Sequence, residues 1–317
     1  MNWYRKNQFI EKPKTAREAI EMAGLNWSVE KVPVKFEFGE NEQAQRGYGN
    51  KAIFPRKFVT YRTDNNQPLG IVGSDYHVVQ NNTVFDFIDP IVNDGVVEYY
   101  GGGAFNHGNV VWLQLKLAGR QIDLGNDDRI EKYILLLNSH NCMFKLTTMF
   151  TPIRIVCQNT LNIAISVAKK RESGVVAMKH CKFMKDKIEK AQKVMSVAVD
   201  HYAQVEENYR RMTLQRISEK DLLNYANRVI NVKKSNITSK KSVDEIIKTT
   251  YGSPGAEKFP GSLWNAYNGV TYYADYLRPN SNKKANTNTL SEESILFGAK
   301  ARLKTRAYDC AMEILDF

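Results

Sequence analysis

Apolar and polar residues alternate with period two through the first half of the chain, and with helical periodicity through the second. Val34-Lys35-Phe36-Glu37-Phe38 alternates strictly, and Phe54 to Tyr61 is a second candidate strand. Asp64-Asn65-Asn66-Gln67 reads as a turn. Leu69 to Gly73 and Tyr76 to Val79 flank Gly73-Ser74-Asp75 as the arms of a hairpin. Asn81 or Asn82 then caps a helix with Val84, Phe85, Phe87, Ile88 and Ile91 on its apolar side. Strands are expected over Val96 to Tyr100, ending at Gly101-Gly102-Gly103, and over Val110 to Leu117, Gln121 to Leu124, Ile130 to Leu137, Lys145 to Phe150 and 153–157. Ahead of all this, Thr15 and Glu18 form a capping-box pattern for a short helix that Gly24 stops.

From Asn159 onward the pattern is helical. A long charged helix is predicted over 180–212, with others at 218–231, 242–250, 262–277 and 291–315. Lys233-Lys234 and Lys240-Lys241 bracket a polar loop, and Pro279 to Thr289 reads as an exposed linker. The expected fold is α+β, with a mainly antiparallel sheet in the N-terminal half and a helical C-terminal half. The divisions are an arm and short helix over 1–30, a sheet domain over 31–175 and a helical region over 176–317.

The pivot is Thr151 to Leu161, TPIRIVCQNTL. Ile153, Ile155 and Val156 suit a strand, and Asn159 or Thr160 can cap the helix that follows. Free amides at a helix start favour an anion, and Arg154 lies beside them in sequence. Alternation sets Arg154 on the strand face opposite Ile153 and Ile155, towards a groove or solvent if both isoleucines face the core. Two readings follow: Arg154 contacts phosphate, or it forms a structural ion pair with one of the sheet's acids.

Charge sharpens this. The net charge is +11. Residues 1–168 hold 18 Lys+Arg against 17 Asp+Glu, residues 169–248 hold 19 against 10, and residues 249–317 hold 8 against 7. A localised basic excess is the footprint of a nucleic-acid binder, and equally of a solvated helical face. No apolar run is long enough for a membrane span, and the N-terminus lacks a signal peptide's apolar core. Cys142, Cys157, Cys181 and Cys310 are scattered and read as reduced thiols, so a cytoplasmic location is expected.

Motifs for nucleotide or metal chemistry are missing from the sequence. There is no GxxxxGK[ST], HExxH or GxSxG, and Gly101-Gly102-Gly103 reads as a bulge or hairpin tip. His140, Cys142 and Cys157 do not make a compact four-ligand metal set. Neither a cofactor nor a metal is expected. Tyr99, Tyr100, Phe105 and Trp112 surround the glycine run, and Trp264, Tyr267, Tyr272, Tyr273 and Tyr276 share a late helix. Such side chains can stack bases, though at helical spacing they are more often core.

TPIRIVCQNTL, the loop NSHN at 138–141, the LGIVG-turn segment at 69–81 and the helix WNAYNGVTYYADY at 264–276 together resemble a phage- and plasmid-borne protein family of unknown function. The resemblance spans residues 69–276 in order. It departs at Asn141-Cys142, where members often carry acid-glycine, and at Tyr276, where histidine is common. The setting among mobile elements, and a remote similarity to phage single-strand annealing proteins, imply recombination or replication. The expected function is single-stranded DNA binding and strand annealing without a nucleotide cofactor, as a homo-oligomeric ring or filament in a bacterial host's cytoplasm. Arg154, Lys169, Lys170, Arg171, Lys179, Lys182, Lys233 and Lys234 would meet phosphate, with Asn159 shaping the turn and Tyr100 available for stacking. The alternatives are an enzyme on nucleic acid or a nucleotide, with His140, Arg154 and Asn159 as polar site groups, and a structural or host-interaction protein; Asn138, His140 and Gln158 are the candidates for a polar site.

Overall fold

A computed structural model describes residues 7–37, 51–119, 121–143, 146–154, 176–178, 201–231, 237–279, 294–296 and 298–316. The chain is α+β, with antiparallel sheets in its N-terminal half and helices in its C-terminal half.

It begins with helix α1 (Ala16–Met22), capped as its sequence predicts: Thr15 accepts from the Glu18 backbone, and Gly24 ends the turn at φ +67. The reciprocal bond runs one residue earlier, because Glu18 Oε2 accepts from the Lys14 amide. Strands β1 (Val29–Glu37), β2 (Lys51–Arg62) and β3 (Pro68–Gly73) form a three-stranded antiparallel sheet in that order.

The second arm of the expected hairpin at Gly73 is not a strand. Side chains take over its hydrogen bonds. Lys31 Nζ donates to the Ser74 and Tyr76 carbonyls. Gln80 exchanges two bonds with Val29, accepting from its N–H at 2.9 Å and donating to its carbonyl at 2.7 Å, as a neighbouring strand would.

The expected helix after Gln80 is broken into α2 (Asn81–Val84), a 3-10 turn (Asp86–Ile88) and α3 (Asp89–Asn93). Pro90 lacks the N–H that would continue one helix, and it sits in the first turn of the next, where none is needed. Gln80, not an asparagine, holds the cap position.

The larger sheet contains β4 (Val97–Phe105), β5 (Val110–Leu117), β7 (Arg129–Ser139), β8 (Leu146–Arg154) and β9 (Val176–Met178) in that order, with β6 (Ile122–Asp123) paired to β7, all antiparallel. Three boundaries differ from expectation. First, β4 does not stop at the glycines but continues through them, with a bulge between Tyr99 and Gly101. A side chain at Gly101 would strike the Asn7 carbonyl, and one at Gly102 would strike Leu113 and Ala23. Second, β8 is one strand through Pro152, not two separated at Thr151. Third, β9 carries the sheet past residue 175, into a region expected to be wholly helical.

Among the described residues, α4 (201–214) is followed by α5 (Glu219–Ile230), α6 (Ile237–Gly252), α7 (Leu263–Tyr272, continuing as a π turn over Tyr273–Leu277) and α8 (Ala299–Leu315). Leu113, Ile134 and Phe150 on one sheet face join Tyr209, Trp264 and Tyr267 from the helices in one continuous core. The other face buries Trp112, Tyr133, Leu135, Met149 and Ile153. Apolar burial on both faces leaves the central strands no solvent side.

Candidate anion-binding site

Arg154 ends β8 on the face opposite Ile153, as alternation requires, but that face is covered by helices. Its guanidinium is fully buried and forks onto Asp128, which is buried too. Nε lies 2.8 Å from Oδ1, and Nη2 lies 2.5 Å from Oδ2. Trp264 Nε1 donates to the same Oδ2 at 2.8 Å, and Nη2 also donates to the Gly255 carbonyl at 3.0 Å. The guanidinium carbon is 5.5 Å from the Trp264 ring centroid. The arginine is therefore placed as a structural ion pair. Two covered sheet faces remove the groove in which it would have met a phosphate.

His140 and Asn138 face the same way on β7 and its exit, and both are buried. Asn81 Nδ2 donates to the Leu25 and Trp27 carbonyls, which leaves its Oδ1 facing His140 Nε2 at 2.9 Å. Thr60 donates to the His140 carbonyl at 2.7 Å, tying the small sheet to the large one. Asn138 Nδ2 reaches the Val79 carbonyl at 3.4 Å, while its buried Oδ1 has no hydrogen bond among the described residues. The structure thus uses these polar groups as internal joints.

Tyr100 is half-buried, edge-on to Tyr133 at 4.9 Å, with Lys116 Nζ 5.9 Å from its ring. Lys116 and Tyr133 both bond Glu131. Burial, followed by that carboxylate, holds the Tyr133 hydroxyl far above the usual phenol range. Of the late aromatics, Trp264, Tyr267 and Tyr273 are core. Gln158, Asn159, Lys169, Lys170, Arg171, Lys179, Lys182, Lys233 and Lys234 lie outside the described residues.

A different cationic cluster emerges in the helical half. Arg278, Arg302 and Arg306 line a cavity of about 320 Å³ together with Ile230, Ser239, Ser242, Tyr273, Ala299 and Leu303. Its walls come from the end of α5, the start of α6, the end of α7 and the first turns of α8. On α8 the basic residues sort by helical spacing. Lys300 and Lys304 turn inward, and Lys304 Nζ meets Asp275 at 2.7 Å. Arg302 and Arg306, one turn apart, are exposed on the cavity side. Arg306 Nη1 donates to the Val229 carbonyl, and Arg278 Nη1 to the Ala299 carbonyl, so two of the three guanidiniums are held in place.

Among the described residues, none of the three forms an ion pair and the cavity lining contains no carboxylate. Burial pulls the pKa of Arg278 below its ordinary value, and the positive charges of Arg306 and Arg302 pull it the same way, against Tyr273. An anion would relieve that repulsion. Tyr273 donates to Ser242 Oγ at 2.9 Å, and α6 brings the positive end of its dipole through Ser239 and Ser242. Planar guanidiniums offer paired N–H groups that match phosphate oxygens. The available sequence signal was the spacing of 300, 302, 304 and 306. It was hidden because residues 249–317 are nearly neutral in sum while three of their acids are engaged elsewhere, Asp275 on Lys304, Glu313 on Arg228 and Asp316 on Arg211.

Among the described residues no group of His, Cys, Asp and Glu could hold a metal ion, and no helix is long and apolar enough to cross a membrane. The model of one family, described as a domain of unknown function (DUF932), matches residues 68–296, and the chain belongs to that family. No curated protein and no solved structure matches it.

Proposed function

We propose that this member of the DUF932 family binds single-stranded nucleic acid through its phosphates, and that it serves strand annealing or recombination on a phage- or plasmid-borne element. The observation that carries the reading is the convergence of Arg278, Arg302 and Arg306 on one cavity that has no carboxylate among its described lining residues. The net charge of +11 supports it, because a cationic surface concentrates polyanions and releases their counterions on contact. The resemblance in TPIRIVCQNTL and its companion segments supports the mobile-element setting in a bacterial host and a homo-oligomeric ring or filament as the working assembly, and the scattered cysteines support a cytoplasmic location. No nucleotide cofactor is part of this proposal. The enzyme alternative loses support, since His140, Asn138 and Arg154 are committed to buried structural bonds.

The test is a titration of labelled single-stranded DNA, duplex DNA and RNA at two salt concentrations, with the parent chain and Arg302→Glu. Binding to the single strand should weaken with salt at a log–log slope of about −0.7 per phosphate contact, and Arg302→Glu should bind more weakly still. Affinity indifferent to salt, or unchanged in the variant, would remove the proposal.

A further inference from the structure

We infer that the arginine cavity takes the phosphate monoester at the end of a strand, rather than a diester within it. This rests on the strand-binding reading above and specifies what that site recognises. Four chain segments wall the cavity: Ile230, Ser239 with Ser242, Tyr273 with Arg278, and Ala299 to Arg306. Residues from these four segments converge on one spot, which suits a single phosphate group better than a run of successive diesters. Its volume, about 320 Å³, is at the small limit for ligand pockets and has room for a phosphate and its sugar.

Charge points the same way. A diester carries one negative charge, and a monoester carries about −1.5 to −2 at neutral pH, with three oxygens able to accept. Three guanidiniums, with no carboxylate among the described lining residues, match the higher charge and the larger number of acceptors. Two of these guanidiniums are already fixed by the carbonyls of Val229 and Ala299, so little ordering remains on binding. Arg302 has neither a side-chain hydrogen bond nor an ion pair among the described residues, which leaves it for the ligand.

The measurement is fluorescence anisotropy of the full chain with short oligothymidylates that end in hydroxyl, in 5′-phosphate or in 3′-phosphate, and with a circular strand. Inorganic phosphate and thymidine 5′-monophosphate serve as competitors. A phosphorylated end should bind about tenfold more tightly than a hydroxyl end, the scale of one or two charge-assisted hydrogen bonds. That advantage should shrink between about pH 7.5 and about pH 5, as the monoester takes up its second proton near pH 6. Arg278, Arg302 and Arg306 keep their charge across that range. Burial lowers the pKa of the neighbouring Lys300, Lys304 is paired with Asp275, and the described lining residues include no histidine.

Arg302→Ala should abolish the advantage. The site is an exposed helix position where alanine is a good former, so the fold persists, and far-UV circular dichroism checks it. Equal affinity for hydroxyl, phosphorylated and circular strands, all weakened alike by Arg302→Ala, would overturn the monoester inference and leave strand binding intact. Binding of thymidine monophosphate or inorganic phosphate by a chain that binds none of the strands would keep the monoester chemistry and remove the strand as its source. Failure to bind any of these ligands would overturn both readings.

Discussion

Replacing Asp128 with alanine should cost the protein about 3–5 kcal/mol, because it leaves a guanidinium buried without its counter-charge. The geometry sets this scale. Asp128 accepts two Arg154 nitrogens and the Trp264 indole N–H, and both charged groups are fully buried. At roughly 2 °C per kcal/mol, melting should fall by about 6–10 °C. Arg154→Met should cost a similar amount by stranding the carboxylate. The double variant Asp128→Leu/Arg154→Met removes both charges together, and it should be far more stable than the sum of the single losses. Calorimetry or near-UV circular dichroism during heating reads all three. If either single variant melted within about 2 °C of the parent, or if the losses simply added, the coupled buried pair would be refuted. A parent-like melting temperature together with lost DNA binding in Arg154→Met would instead return Arg154 to the phosphate.

Burial lowers the pKa of His201, which packs against Phe150 at 5.4 Å. The unfolded chain therefore takes up this proton first as pH falls through about 6.5, and stability should decline below that pH by up to about 1.4 kcal/mol per pH unit; His201→Phe should flatten the decline in a denaturant series. Gly269 faces Thr250 where α7 crosses α6, and an added Cβ would lie 2.5 Å from its hydroxyl and 2.7 Å from its backbone nitrogen. Gly269→Ala should destabilise by about 1–3 kcal/mol in a urea titration, and a stabilised variant would contradict that packing. Asn81→Ala removes the bonds to His140, Leu25 and Trp27, leaves buried polar groups bare, and should cost about 1–3 kcal/mol in the same assay.

Local structure was largely legible where one residue's neighbours decide it. Val110–Leu117 is a strand with the boundaries that its alternation predicts, and Glu219–Ile230 is a helix within its predicted range. Thr15 caps because its hydroxyl meets a free amide three residues on. Failures came where distant groups decide. Gly101 continues a strand because the backbone at Asn7 packs against it, and 76–80 forms no strand because Lys31 and Gln80 occupy its hydrogen bonds. Arg154 was legible as the pivot, but its partner was not: Asp128 lies 26 residues away in a turn that reads as an ordinary loop. The arginine cavity was invisible for the same reason. Residues 239–242, 273–278 and 299–306 meet only after three helices pack.

The strand-binding account rests most directly on the salt dependence of single-stranded DNA affinity in the parent and in a variant with Arg278, Arg302 and Arg306 all replaced by alanine. Measured between about 50 and 200 mM salt, the parent should lose affinity steeply, and the triple variant should bind more weakly with a slope shallower by about 0.7 for each phosphate contact removed. Parent and triple variant sharing one affinity and one slope, with both folded, would contradict the account.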